Sequence, residues 1–269
     1  MTDPRPDVAA TAPAVPAATV VVARVLPRDE GAFEVFLVKR HGKSGFMAGA
    51  HVFPGGKVDD DDASFDADRF ACAAIRETFE ETGVLLARHE SGLAMTARAP
   101  RDAVVARIAA GEPFAHALKA TGLVPDVDAL VGIGWWITPE AEPRRFDTRF
   151  FFALVPALQH HDAAPDLQEV TEGTWFSPQG ALDAYAQGEI ALAPPTLVTL
   201  EELAPLTTAG VRAHAWPRRA IRPLITHDAD GALVLALPGD SLHDVKDACW
   251  PHRTRVVAKD GGRFVSARG

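Results

Sequence analysis

Cysteine is scarce in this 269-residue chain: Cys72 and Cys249 are the only two, far apart in sequence. Two separated thiols supply neither a disulfide framework nor metal-ligand spacing, which suits a reducing compartment, and both are read as buried. Positive charge is short as well, with 27 Lys and Arg against 36 Asp and Glu and a net charge of −9. Polymeric nucleic acid is held by clustered Lys and Arg, so a broad nucleic-acid surface is excluded, although small basic pockets are not. No apolar run approaches the ~20 residues that a membrane span requires. The opening MTDPRPDVAATAPAVPAA is broken by prolines and has no sustained apolar stretch. It reads as a disordered tail over residues 1–17 rather than a signal peptide.

Core-forming residues are plentiful, with 47% of the chain apolar, and residues 18–269 are expected to form one domain without internal repeats. ATVVVARVL and FEVFLVKR, separated by a turn containing Gly31, have the pattern of adjacent antiparallel strands. From Gly42 to Gly56 the chain is rich in small residues and ends in VFPGG, a segment suited to bring backbone close to something else. The four acids Asp59 to Asp62 read as a solvated turn. Ser64 to Thr82 suits a helix, with Ser64 or Asp66 as N-cap and Gly83 as the stop. A helical insertion is expected over about 93–125, broken at Gly111 and Pro113. VGIGWWITP, RRFDTRFFFALVPAL and TEGTWFSP are read as strands and the next two segments as helices. GALVLALPGD and TRVVAKDG supply strands to a C-terminal extension over about 215–269.

The chemistry concentrates in RETFEETG, residues 76–83. At ~100° per residue Glu77, Glu80 and Glu81 share one helix face with Phe70, Ala73 and Ala74. Like charges at i,i+4, as in Glu77 and Glu81, destabilise an isolated helix by a few tenths of a kcal/mol. Arg76 can pair with Glu80, but one cation cannot neutralise three acids. A hard divalent ion, Mg²⁺ or Mn²⁺, can, and the absence of nearby Cys and His ligands argues against zinc. On spacing alone, a solvated acidic face explains the same cluster.

VFPGGKVD followed by a helix carrying RExxEExG resembles the box of the Nudix hydrolases, usually G-x5-E-x7-R-E-U-x-E-E-x-G-U with U aliphatic. Gly56, Arg76, Glu77, Glu80, Glu81, Gly83 and Val84 are in place. Asp68 stands eight residues before Arg76, where the family has Glu, but about six additional residues separate it from Gly56. Thr78 replaces an aliphatic residue. GFMAGAHVFPGGKVD, CAAIRETFEETGVLL, WWITPEAEPRRFDTRFF and EVTEGTWFSP occur in the order of the branch similar to the peroxisomal coenzyme A diphosphatase of mammals.

The resemblance implies an α/β fold: a Nudix α/β/α sandwich with a mixed sheet, the helical insertion and the C-terminal extension. It implies metal-dependent hydrolysis of the pyrophosphate bond of a small nucleoside diphosphate derivative, coenzyme A or acyl-coenzyme A. ADP-ribose, NADH or a nucleotide sugar is the alternative substrate, and a non-catalytic nucleotide sensor the rival class. Carried over residue by residue, Glu77 and Glu81 hold the Mg²⁺ or Mn²⁺, Glu80 assists, and the carbonyl of Gly55 or Gly56 adds an oxygen. Arg76 orients the carboxylates, and the backbone at Gly56 meets the substrate. Glu169 is the candidate for a catalytic acid outside the box, with Glu172 second. Arg145 and Arg149, on one side of a strand, and Arg40 are candidates for substrate phosphates, since guanidinium forks suit them; cross-strand ion pairs explain the strand arginines equally. The chain ends in SARG rather than a peroxisomal signal, so a cytoplasmic location is expected. No membrane partner is expected, and a homodimer is left open.

Overall fold

The computed structural model describes residues 12–27, 29, 31–40, 49–159, 170–259 and 263–269. Glu169 and the first eleven residues of the expected tail lie outside the described residues. The elements through the first half are β1 (Val15–Val25), β2 (Phe33–Arg40), β3 (His51–Val52), β4 (Gly55–Lys57), α1 (Arg69–Thr82), β5 (Ala87–His89), α2 (Ala99–Ala109), α3 (Phe114–Ala120) and β6 (Leu123–Pro125). There follow β7 (Val131–Ile137), β8 (Phe146–Leu154), β9 (Val170–Phe176), α4 (Pro178–Gln187), α5 (Pro194–Leu203), α6 (Thr208–Ala213), β10 (Leu224–His227), β11 (Leu233–Ala236), β12 (Arg255–Ala258) and β13 (Phe264–Ala267). Because β1 begins at Val15, it takes in the last three residues assigned to the tail, which are paired along β8 from Val15↔Phe146 onward.

Among the described residues, seven strands form the main sheet, in the order β3-β2-β1-β8-β7, with β4 also on β1 and β9 also on β2. It is mixed: β1 and β8 run parallel, while β1 with β2, β1 with β4, β2 with β9 and β7 with β8 are antiparallel. Alternation sends each strand's side chains to two opposed cores. Ala18, Val20, Val22, Phe36 and Val38 pack on one face with Ala73, Ala74, Ile75 and Phe79 of α1 and with Phe114 and Leu118 of α3. Val21, Ala23, Val35, Leu37 and Phe152 pack on the other with Ala181 of α4, Leu197 and Leu200 of α5, and Val256 of the C-terminal sheet. Burying each large side chain, such as the fully enclosed Leu37 or Phe152, contributes about 1.5–3 kcal/mol. The result is a sheet with helices on both faces, an α/β/α sandwich. Phe150 and Phe152 are core residues, Phe152 in edge contact with Phe33 at 5.5 Å between ring centres.

Between α1 and β7, the short β5–β6 pair brackets α2 and α3, which separate at Gly111 (φ 90°) and Pro113. The extension folds as a second sheet, β10-β11-β12-β13, antiparallel throughout. Its anchor is Asp240, wholly buried, which accepts from Arg255 Nε at 2.7 Å, Arg255 Nη2 at 2.8 Å and Thr254 Oγ1 at 3.1 Å. No helix among the described residues is long and apolar enough to cross a membrane.

Candidate active site on helix α1

The acidic helix starts later than its sequence suggests. Ser64 and Asp66 do not cap it: the chain first makes a 3-10 turn over Asp60–Ser64 and then extends at Phe65. Asp68 is the N-cap, its Oδ1 accepting from Phe70 N–H at 2.7 Å, and Gly83 ends the helix in the left-handed conformation with φ 71°. Asp68 therefore spends its carboxylate on the helix terminus.

The residue that meets Arg76 is Asp62. It is buried, at 3% exposure, and accepts from Arg76 Nε at 3.0 Å and Nη2 at 3.1 Å. Its Oδ2 also accepts from Asp59 N–H at 2.8 Å. The solvated reading of Asp59 to Asp62 thus fails at Asp62, because the 3-10 turn rotates one of the four acids inward onto a buried guanidinium. Counting six residues on from Gly56 reaches Asp62, the position of the first acid in the usual box, so the additional residues fall after that acid rather than before it. Spacing from Gly56 was the signal that could have found it.

Arg76 is the hub. Nη1 donates to Glu77 Oε1 at 2.9 Å and Glu80 Oε2 at 3.0 Å, and Nη2 donates to the Lys57 carbonyl at 2.8 Å. Burial works to lower its pKa, but the hydrogen bonds with Asp62 and the charges of Glu77, Asp62 and Glu80 more than offset this and raise it, so the guanidinium is permanently charged. Burial raises the pKa of Glu80, reinforced by Asp59 and Asp62 and opposed by Arg76. Thr78, in place of an aliphatic residue, is fully buried and satisfies its hydroxyl on the Ala74 carbonyl at 2.7 Å.

Glu77 and Glu81 face the glycine strand. A Cβ built on Gly56 would fall 2.4 Å from Glu77 Oε2, so only glycine allows the carboxylate to seat there. At Gly55 (φ 154°) an added Cβ would fall 2.3 Å from the Ala18 carbonyl, and its N–H donates to Glu81 Oε2 at 2.9 Å. Ala73 and Ala74, on the helix face shared with the acids, are fully buried against the sheet. Oxygen donors alone, without Cys or His, fit a hard divalent cation. Among the described residues the acids are not gathered into a group of three in ligating positions. With Glu77 held by Arg76 and Glu81 by Gly55, this face offers a pair of carboxylates plus whatever oxygens a substrate brings.

On the other flank of α1, Asp59, Asp62, Cys72, Arg76, Glu80 and Phe114 line a cavity of about 160 Å³ beneath α3. Burial, with the charges of Asp62 and Asp68, pushes the Cys72 thiol up to about 11, so it stays protonated and inert. Cys249, read as buried, is only half-buried.

The remaining candidates separate. Lys39 pairs with Glu172 at 3.7 Å, and β2–β9 register puts both on the face of Leu37, opposite α1. Glu172 is therefore turned away from the acidic helix. Arg145 is engaged by backbone, donating to Thr138 O at 3.2 Å and Ala12 O at 2.7 Å, a clamp where β1 and β8 begin. Arg40 closes β2, its N–H bonded to Ala50 O at 3.1 Å. Arg149 lies on the α1 face, paired across β1 with Ala18, which pairs in turn with Gly56.

This arrangement has known counterparts. The family model described as the NUDT19 Nudix domain matches residues 65–203, more than half of the chain. The chain belongs to that family of Nudix hydrolases. The acyl-coenzyme A diphosphatase NUDT19 of Gallus gallus is 28% identical over 277 residues, covering 78% of this chain and 73% of that protein. Its Homo sapiens counterpart is 29% identical over 308 residues, covering 88% and 81%. Among solved structures, a Nudix hydrolase from Alicyclobacillus acidocaldarius superposes with a TM-score of 0.63 at 29% identity, covering 77% of this chain and 99% of that one. The box residues of this Nudix hydrolase are therefore those of an enzyme family, and the α/β/α sandwich is the family fold.

Proposed function

We propose that this Nudix hydrolase cleaves the pyrophosphate bond of a coenzyme A-type nucleotide, with a divalent cation, Mg²⁺ or Mn²⁺, held by Glu77 and Glu81. The observation that carries the reading is the seating of Glu77 on Gly56 and of Glu81 on the Gly55 N–H, which presents two carboxylates beside bare backbone. When bound there, the cation supplies Lewis-acid stabilisation of the diphosphate and a more acidic water. Arg76 fixes the Glu77 rotamer and holds Glu80 one turn away, so the acids are oriented before substrate arrives. Asp62 in turn fixes Arg76. Glycine at 55 and 56 lets this strand close directly onto the Ala18 carbonyl and the Glu77 carboxylate, which fixes the acids against bare backbone. The substrate class rests on the acyl-coenzyme A diphosphatases that the chain resembles over most of its length.

The test is a substrate panel of coenzyme A, an acyl-coenzyme A, ADP-ribose and NADH, each with Mg²⁺ or Mn²⁺. The reading expects the coenzyme A compounds to have the highest kcat/KM. Faster cleavage of ADP-ribose or NADH would reject the substrate class while leaving the hydrolase intact.

A further inference from the structure

Arg149, Trp135, Asp147 and Phe70 form a second polar group on the α1 face of the sheet. Trp135 pairs with Arg149 across β7 and β8, and the guanidinium carbon lies 3.5 Å from the centre of the Trp135 ring. Phe70, in the first turn of α1, stands 5.0 Å from it. Trp135 Nε1 donates to Asp147 Oδ1 at 2.5 Å, while Arg149 Nε is 3.9 Å from that oxygen, too far for a hydrogen bond. Arg149 Nε is buried and has no hydrogen-bond partner, yet the side chain as a whole is 33% exposed, so its other atoms reach solvent. A plain ion pair along β8 between Asp147 and Arg149 would have closed that bond; here the indole has taken the aspartate oxygen. The aromatic rings hold the guanidinium in place with Nε buried and the outer part of the side chain exposed, and a phosphate suits the exposed end of such a guanidinium.

The group stands apart from the acidic pair. Phe70 and Glu77 are seven residues apart on one helix, roughly 10 Å at 1.5 Å per residue. Arg149, beside Phe70, therefore stands at the N-terminal end of α1, while Glu77 and Glu81 lie about two and three turns further along. Resting on the coenzyme A reading above, we propose that Arg149 receives a second, non-scissile phosphate, the 3′-phosphomonoester on the ribose of coenzyme A, with Trp135 as the residue that positions it.

The experiment measures kcat/KM for coenzyme A and for 3′-dephospho-coenzyme A in the wild type, Arg149→Met and Arg149→Lys. The expected wild-type ratio is about tenfold or more in favour of coenzyme A, since a site built to bind a polar group discriminates against its absence. Arg149→Met should bring the ratio toward one, chiefly through KM for coenzyme A, and Arg149→Lys should retain part of it. A wild-type ratio near one, or a variant that loses rate on both substrates with the ratio preserved, would overturn the proposal. If the wild type cleaves neither coenzyme A form but does cleave ADP-ribose, the coenzyme A reading falls and the proposal with it.

Discussion

Asp62 and Arg76, fourteen residues apart, form a two-point bond at 3.0 and 3.1 Å with both side chains under 10% exposed. Without Asp62 the buried guanidinium keeps Glu77 and Glu80 on Nη1 but loses the charged acceptor of Nε, and a buried hydrogen bond between charged groups is among the stronger ones. Asp62→Asn is expected to cost about 3 kcal/mol. Asp60→Asn, at an exposed position of the same acid run, should stay within about 0.5 kcal/mol. Urea unfolding of the two variants compares them; equal small losses would mean that the pair does not organise the box.

Gly56 tests how finely the carboxylate is placed. Alanine there puts a methyl 2.4 to 2.5 Å from the Glu77 carboxylate, so Glu77 must move. A displacement near 1 Å at reacting groups costs on the order of 100-fold in rate. Gly56→Ala should lose about that much kcat/KM while its unfolding midpoint changes little. Full activity in this variant would separate Glu77 from the chemistry.

The C-terminal sheet should be acid-sensitive through Asp240. Burial raises the pKa of this carboxyl, but the Arg255 hydrogen bonds, the Leu242 N–H, the Arg255 charge and the Thr254 hydroxyl outweigh it and lower the pKa below the usual value. A depressed folded pKa contributes stability that is present above the unfolded pKa, about 4, and is lost as pH falls through the folded value. Asp240→Asn should therefore cost about 3 kcal/mol at pH 7, with the gap to wild type narrowing as pH is taken below about 4. Denaturation curves across that range check the sign; a gap that widens in acid would reverse the assignment.

Much of the architecture was readable because periodicity and glycine carry it. Alternating apolar runs marked the strands, Gly83 marked the end of α1, and 100° spacing put Glu77, Glu80 and Glu81 on one face. Three features needed the fold. Asp62 is one of four consecutive acids; counting six residues from Gly56 singles it out, but that the 3-10 turn rotates it inward onto Arg76 needed the fold. The start of α1 was misplaced because Ser64 resembles an N-cap, although residues 60–65 are spent on that turn. Glu172 was a reasonable second candidate until the β2–β9 register put it with Lys39 on the opposite face. Pairing register is a long-range property, and a one-residue difference reverses the face a side chain takes.

Glu81 bears the central claim most directly, because its carboxylate bonds the Gly55 N–H at 2.9 Å on the strand where the diphosphate is proposed to lie. The measurement is Mg²⁺-dependent hydrolysis of coenzyme A by the wild type and by Glu81→Gln, with products separated and identified. The account predicts adenosine 3′,5′-bisphosphate and phosphopantetheine from the wild type, abolished by chelation. It also predicts a loss on the order of 100-fold or more in kcat for the correctly folded variant. Equal rates in the two proteins, or hydrolysis that persists without divalent metal, would contradict it.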